Sequence, residues 1–264
     1  MATIASTFPF EFERGSHVCV FYRTDEELLD VLAPYIAGGL RNGERCFCVQ
    51  KPRVAQRLKG KLHALGVNAE KEIERGALEI HLAQEVYLSD GVFSPGRMMD
   101  LLGAAVRNAI AENFTGLRTA GDLSWVAHGH HDCQVMIEYE RMVDASFPNQ
   151  PAIGMCQYQI TDFSPGVLSQ VLSAHQLAFV ETAPDSHYHT LSVRWGPYSI
   201  DFVGKRLLRA GCDFVIQHRE HGALAWGGER TFDAARAGAL ALIPTRQPAP
   251  HRIPHSLVPV AAAD

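Results

Sequence analysis

The chain has no excess of basic residues, no long apolar run, no disulfide-rich loops and no phosphate-cradling glycines, and each absence narrows what it can be. Lys and Arg number 24 against 29 Asp and Glu, for a formal net charge of −5. That balance leaves no electrostatic footprint for DNA, RNA or anionic lipid. No stretch approaches the roughly 20 apolar residues that a membrane span requires. The N-terminal MATIASTFPFEFERG lacks a basic start, an apolar block and a small-residue cleavage site. The expectation is a cytoplasmic protein that contacts neither nucleic acid nor membrane directly. The cysteines, Cys19, Cys46, Cys48, Cys133, Cys156 and Cys212, lie mostly inside apolar, strand-like runs. That placement suits reduced core thiols rather than a disulfide framework.

What is present is an alternation of short apolar runs with helical patterns, the signature of a parallel sheet covered by helices. The runs are HVCVFY (17–22), RCFCVQ (45–50), ALEIHLA (77–83), LRTAGDL (117–123) and AIGMCQYQI (152–160). Helices are expected over 25–38, 52–65, 95–113, 133–145 and 165–181. Thr24 with Glu27 forms a capping-box pattern, and Ser94-Pro95 and Ser164-Pro165 place a capping hydroxyl before a proline suited to the first turn. The fold class is therefore α/β, a doubly wound and mainly parallel sheet. It occupies residues 15–183, after an N-terminal segment (1–14). A small α+β appendage follows (184–246), with a helix expected within RWGPYSIDFVGKRLLRAG and another element in RTFDAARAGALALI, then a proline-rich tail (247–264). The short apolar runs CDFVIQH and GALAWGG should be covered by docking on the main domain or by dimerisation.

The first strand-to-helix turn has the shape of a nucleotide-binding unit without its chemistry. A phosphate loop needs glycines, a lysine and a Ser or Thr, whereas residues 22–28 read Tyr-Arg-Thr-Asp-Glu-Glu-Leu. Asp25, Glu26 and Glu27 fall at the positive end of the helix dipole and repel a polyphosphate. No ATP and no other cofactor is expected.

These motifs carry a family resemblance. HVCVFY leading into an acidic helix start, GLRNGERCFCV, GLRTAGDLSWV, IEYERMVDASF and MCQYQITDFSPGVLSQVLSAHQ occur in an order and spacing that resemble the MEDS (methanogen/methylotroph sensory) domain. The resemblance implies a degenerate RecA/KaiC-like fold without the phosphate loop, and a sensory module for simple hydrocarbon derivatives attached to transcription regulators, histidine kinases or anti-sigma factors. This chain shows no recognisable helix-turn-helix, kinase core or receiver domain, so its output would pass through a regulatory partner protein or through the C-terminal appendage.

Candidate site residues follow from strand ends and helix faces. His17, Cys19 and Phe21 share one face of the first strand, and Tyr22 emerges at its carboxyl end. His17 and Tyr22 read either as pocket groups or as a satisfied core histidine and a sheet-edge tyrosine. Asp122 and Trp125 follow the fourth strand, where open α/β sheets place ligands; the structural alternative is a loop cap and an aromatic plug. On the following helix Glu138 is expected to turn inward, with Arg118 as a partner. Together with Tyr158 these residues make one expected pocket: His17, Tyr22, Asp122, Trp125, Glu138 and Tyr158. Metal candidates are His128, His130, His131 and Cys133 in HGHHDC, and His187, His189, His218 and His221 further on; the alternative for HGHHDC is a polar surface loop. Cys156 and His17 would approach each other if their strands are neighbours.

The expected function is non-enzymatic: binding a small organic ligand and signalling through a partner, with a homodimer as an allowed assembly. The alternatives are an enzyme acting on a small carbonyl or halogenated substrate through Cys156 or a histidine-bound metal, and an anti-sigma-type interaction module.

Overall fold

A computed structural model describes residues 12, 14–128, 132–175, 177–181, 188–195, 198–205, 212–218 and 222–229. The elements are β1 (His17–Tyr22), α1 (Asp25–Arg41), β2 (Arg45–Gln50), α2 (Pro52–Ala64), α3 (Ala69–Glu74), β3 (Leu78–Leu82), α4 (Ala83–Val86), α5 (Pro95–Ala111), β4 (Leu117–Asp122), α6 (Trp125–His128), α7 (Cys133–Ser146), β5 (Ala152–Gln159), α8 (Pro165–Ala174), β6 (Leu177–Glu181), β7 (Tyr188–Trp195), β8 (Tyr198–Lys205), β9 (Cys212–His218) and β10 (Gly222–Glu229). All strands described belong to one sheet in the order β10-β9-β8-β7-β6-β1-β5-β4-β2-β3. From β6 to β3 the pairing is parallel, and from β6 to β10 it is antiparallel.

Helices cover both faces of the parallel part, so this is the doubly wound α/β architecture. On one face α1 and α2 bury Leu28, Leu32, Ile36, Val54 and Leu58 against Val18, Val20, Cys46, Ala120 and Met155. On the other, Met98, Leu102, Met136, Val143 and Val171 from α5, α7 and α8 pack on Cys19, Leu117, Cys156 and Tyr158. Each fully buried aliphatic side chain contributes about 1.5–3 kcal/mol by leaving water. The strand alternation that sorts side chains to the two faces also divides the polar groups of the site.

The five expected parallel strands are present, and the helix starts are capped as the sequence implies. Thr24 Oγ1 accepts from Glu27 N at 3.2 Å while Arg23 N donates to Glu27 Oε2 at 2.7 Å. Ser94 and Ser164 likewise accept from Arg97 N and Val167 N.

Two regions differ from expectation. The helix expected over 165–181 ends at Ala174 and is followed by a sixth parallel strand, β6, beside β1. His175 turns extended (φ −113°, ψ 143°) and the strand-favouring LAFVE then completes the parallel sheet. Within RWGPYSIDFVGKRLLRAG, where a helix is expected, residues 198–205 form β8, paired with β7 from Trp195↔Tyr198 to Tyr188↔Lys205. YSIDFV alternates apolar and polar residues with period two, a stronger strand signal than the helical reading of the wider window. The strands after residue 184 continue the main sheet through the β6–β7 pairing. RTFDAARAGALALI and the proline-rich tail lie outside the described residues.

A buried ion pair anchors α1. Arg118 on β4 bonds through Nε to Glu44, donates from Nη1 to Tyr35 O at 3.1 Å, and lies 4.7 Å from the Tyr35 ring centroid. A Cβ on Gly39 would lie 2.6 Å from Arg118 Cδ, so glycine there permits the helix to seat on the guanidinium.

Candidate functional site

The six residues expected to line one pocket lie in separate places. At the carboxyl ends of the strands, on the α1/α2 face, Tyr22 OH donates to Asp122 Oδ2 at 2.5 Å and Asp122 Oδ1 accepts from Ser124 N at 2.8 Å. Lys51 Nζ stands over the Tyr22 ring, 3.1 Å from Asp25 Oδ1 and 2.7 Å from Gln159 Oε1. Burial pushes the Asp122 carboxyl up despite nearby Lys51 and the Tyr22 bond, and burial with the Asp122 charge raises the Tyr22 phenol. Both Asp122 oxygens are engaged, so this cluster braces the carboxyl ends of the strands, where open α/β sheets place their ligands.

The opposite face holds a second polar cluster around His17, and it draws on residues the sequence reading did not assign. His17 Nε2 lies 3.3 Å from Cys156 Sγ and 3.3 Å from Glu140 Oε2; His17 Nδ1 is 3.5 Å from Asp144 Oδ1. His175 Nε2 is 3.1 Å from the same Glu140 oxygen, and the two imidazole centroids are 4.2 Å apart. Tyr158 OH donates to Glu140 Oε1. Although burial alone would raise Glu140, the His175 and His17 rings hold its carboxyl well below the usual range. Against burial, which alone would lower it, Cys19 and Glu140 bring His175 up to about 9. Burial and the neighbouring Glu140 charge push the Cys156 thiol up, the reverse of nucleophile activation.

Glu138 is exposed, whereas Glu140 is fully buried, which corrects the expected orientation of α7. The helix buries Met136, Ile137, Tyr139, Glu140 and Val143, and position 138 falls outside that stripe. Arg118, expected as the partner of Glu138, is instead paired with Glu44 on the other face. The approach of Cys156 to His17 follows from the β1–β5 register, His17↔Gly154 and Cys19↔Cys156, which places them diagonally on adjacent strands. The motifs IEYERMVDASF and MCQYQITDFSPGVLSQVLSAHQ contain Glu140 and His175 without singling either out; the helical phase at 136, 140 and 143 was the signal available for the first.

Beside this cluster lies a cavity of about 20 Å³ whose lining includes His17 and Cys156 at one end and Tyr87, Met98, Leu102 and Val143 elsewhere. That is space on the order of one water-sized group or slightly more. Trp125, half-buried on α6, stacks on Tyr87 at 5.3 Å and meets Phe93 edge-on at 5.2 Å, beside the cavity wall. Gly121 makes this wall possible: a Cβ there would sit 2.1 Å from the Tyr87 hydroxyl. Gly121→Ala is expected to displace Tyr87 and to cost about 1–3 kcal/mol in urea denaturation, as overpacking does.

Among the described residues, the other histidine sets are not brought together. His128 is exposed and paired with Asp162 at 3.0 Å, Cys133 begins α7, and His130 and His131 lie outside the described residues. His187 and His221 also lie outside them. His189 pairs with Gly204 at one end of β8 and His218 with Tyr198 at the other, roughly 20 Å apart at strand rise. Among the described residues no helix is long and apolar enough to cross a membrane.

Comparison with known proteins agrees with the resemblance read from the motifs. The family model described as "MEthanogen/methylotroph, DcmR Sensory domain" matches residues 16–176. The transcriptional repressor DcmR of Methylorubrum extorquens is 25% identical over 162 residues, which cover 61% of this chain and 58% of that protein. The chain thus matches little more than half the length of that relative. Among solved structures, a KaiC-like protein from Pyrococcus horikoshii superposes with TM-score 0.46 at 13% identity, covering 72% of this chain and 86% of its own. A flagellar accessory protein, FlaH, from Methanocaldococcus jannaschii gives TM-score 0.44 at 11% identity, covering 81% and 91%.

Proposed function

The chain belongs to the MEDS family of sensory domains, and from that premise we propose that it binds a small organic molecule of the simple hydrocarbon-derivative class and passes the binding event to a regulatory protein partner. The observation that carries the proposal is the small cavity with His17 and Cys156 at one end and Met98, Leu102 and Val143 among its walls. Such a mixed lining suits a very small ligand with one polar or halogen substituent; the space is far below the several hundred Å³ of a drug-sized pocket, so seating more than about one heavy atom parts its walls. α7 contributes Val143 to the cavity and Glu140 and Asp144 to the groups around His17. Displacement of that helix is the natural output of occupancy. The relative named as a transcriptional repressor supports a regulatory partner; the partner and any dimer belong to the same proposal.

The test is thermal stabilisation by a panel of small alcohols, aldehydes and halogenated hydrocarbons. A true ligand at 100 times its Kd stabilises the folded state by about 2.7 kcal/mol. Val143→Phe, which fills the cavity, should fold and lose the response. If no compound in the panel stabilises the wild type, or if the variant responds equally, the cavity is not the sensory site.

The same reading places no nucleotide at the β1–α1 turn. Thr24 and Glu27 already occupy the amides of Glu27 and Arg23, and Asp25 and Glu26 add negative charge at the helix start. Calorimetry with ATP and magnesium is expected to give no binding heat at millimolar nucleotide; a micromolar Kd would refute this.

A further inference from the structure

We infer that His17, Glu140, Cys156 and His175 form a binding site for a divalent transition metal of the zinc class. One ligating atom from each lies within 4.8 Å of all the others, and all four residues are buried. The shortest separations among them are 3.1 and 3.3 Å. Zinc bonds of about 2.0–2.3 Å to nitrogen, oxygen and sulfur imply tetrahedral edges of roughly 3.3–3.6 Å, so small side-chain adjustments that open the shortest separations and close the widest seat the ion.

The hydrogen-bonding pattern around the four residues is that of prepared ligands. His175 Nδ1 lies 2.8 Å from the Val171 carbonyl, which fixes the proton on Nδ1 and turns the Nε2 lone pair inward. His17 Nδ1 faces Asp144, leaving Nε2 directed at Glu140 and Cys156. Glu140 Oε1 is held by the Tyr158 hydroxyl, which leaves Oε2 as the atom that meets both imidazoles. Glu140 Oε2 and His175 Nε2 are fully buried with no well-formed hydrogen bond. With neither Nε2 protonated, two lone pairs converge on a carboxylate oxygen; a proton on an imidazole relieves this in the metal-free protein, and a metal ion among the four atoms takes that proton's place.

Charge points to the same occupant. A thiolate and a carboxylate balance a dication with both imidazoles neutral, so no net charge is buried. Two nitrogens, one sulfur and one oxygen in a compact set match the borderline-soft preference of zinc rather than the oxygen shells of magnesium or calcium. Binding releases the Cys156 proton as the metal–sulfur bond forms. This assignment rests on ligand geometry alone, although His17 and Cys156 also line the cavity of the organic-ligand reading above.

Elemental analysis of the purified full chain, followed by chelation and titration with Co(II), tests it. One zinc or related ion per chain is expected before chelation. Cobalt should then bind one per chain, with a thiolate-to-metal charge-transfer absorption that zinc abolishes by displacement. Cys156→Ser should lose that absorption, and Tyr158→Phe should weaken cobalt binding about 10–100-fold, as loss of a group that orients a ligand does. Folded wild-type protein that takes up no cobalt, or takes it up without thiolate absorption, overturns the site. So does an unchanged absorption in Cys156→Ser, which would assign the metal to another thiol. Should Cys156→Ser fail to fold, the wild-type spectrum and Tyr158→Phe still decide.

Discussion

Glu44→Ala is expected to lower the folding stability by about 3–5 kcal/mol, the cost of leaving one partner of a buried ion pair alone. Arg118 is 6% exposed and Glu44 5%, and a guanidinium cannot shed its proton to escape the loss. The Tyr35 carbonyl and ring would remain as its contacts, too little to replace a carboxylate. Replacing both partners with apolar residues, Arg118→Met with Glu44→Leu, should recover most of the loss, because the pair itself brings little net stability once desolvation is counted. Urea denaturation of the three proteins decides; a Glu44→Ala cost below about 1 kcal/mol would mean that water reaches the guanidinium.

Glu140→Gln should cost somewhat less, about 3 kcal/mol, at the lower end of the same range. The substitution preserves volume and an acceptor for Tyr158 but removes the charge on which His17 and His175 converge. Unlike Arg118, the two imidazoles can become neutral, which limits the penalty. Glu138→Gln on the same helix is the control and should stay within about 0.5 kcal/mol of wild type, since it is exposed. Equal effects at the two positions would mean that α7 is rotated relative to the arrangement described here.

How far the sequence could be read depended on which physical signal each element carried. β1 to β5 are apolar runs bounded by turns, and a strand buried on both faces must look that way. β6 was hidden because LSQVLSAHQLAFV continues an apolar helical pattern across His175, and only the pairing with β1 makes the strand worthwhile. β8 was hidden by the basic, helix-favouring KRLLR that follows it. The site was legible in its residues but not in its grouping. His17 and Tyr22 are five positions apart on one strand, and a side-chain period of two sends them to opposite faces, so one pocket could never hold both. Glu140 was passed over for its neighbour Glu138 because the apolar residues of α7 do not select one helical phase until the sheet is placed beside them. His175 owes its role to a contact with Glu140 that links α7 to the segment after α8, a long-range event that local pattern cannot show.

The position of β1 in the sheet order has a consequence for how the chain is made. His17 and Cys156 meet across 139 residues of sequence, and both strands beside β1, β5 and β6, come late in the chain. During synthesis at about 5–20 residues per second, the first strand waits on the order of ten seconds for its nearest neighbour. Over that interval HVCVFY is an apolar, strand-forming segment without its sheet neighbours, and α1, which follows it directly, is the first element that can shield it. Non-local pairing of this kind also slows refolding in vitro. The earliest segment of the domain is therefore the one most exposed to aggregation while the ribosome completes the rest.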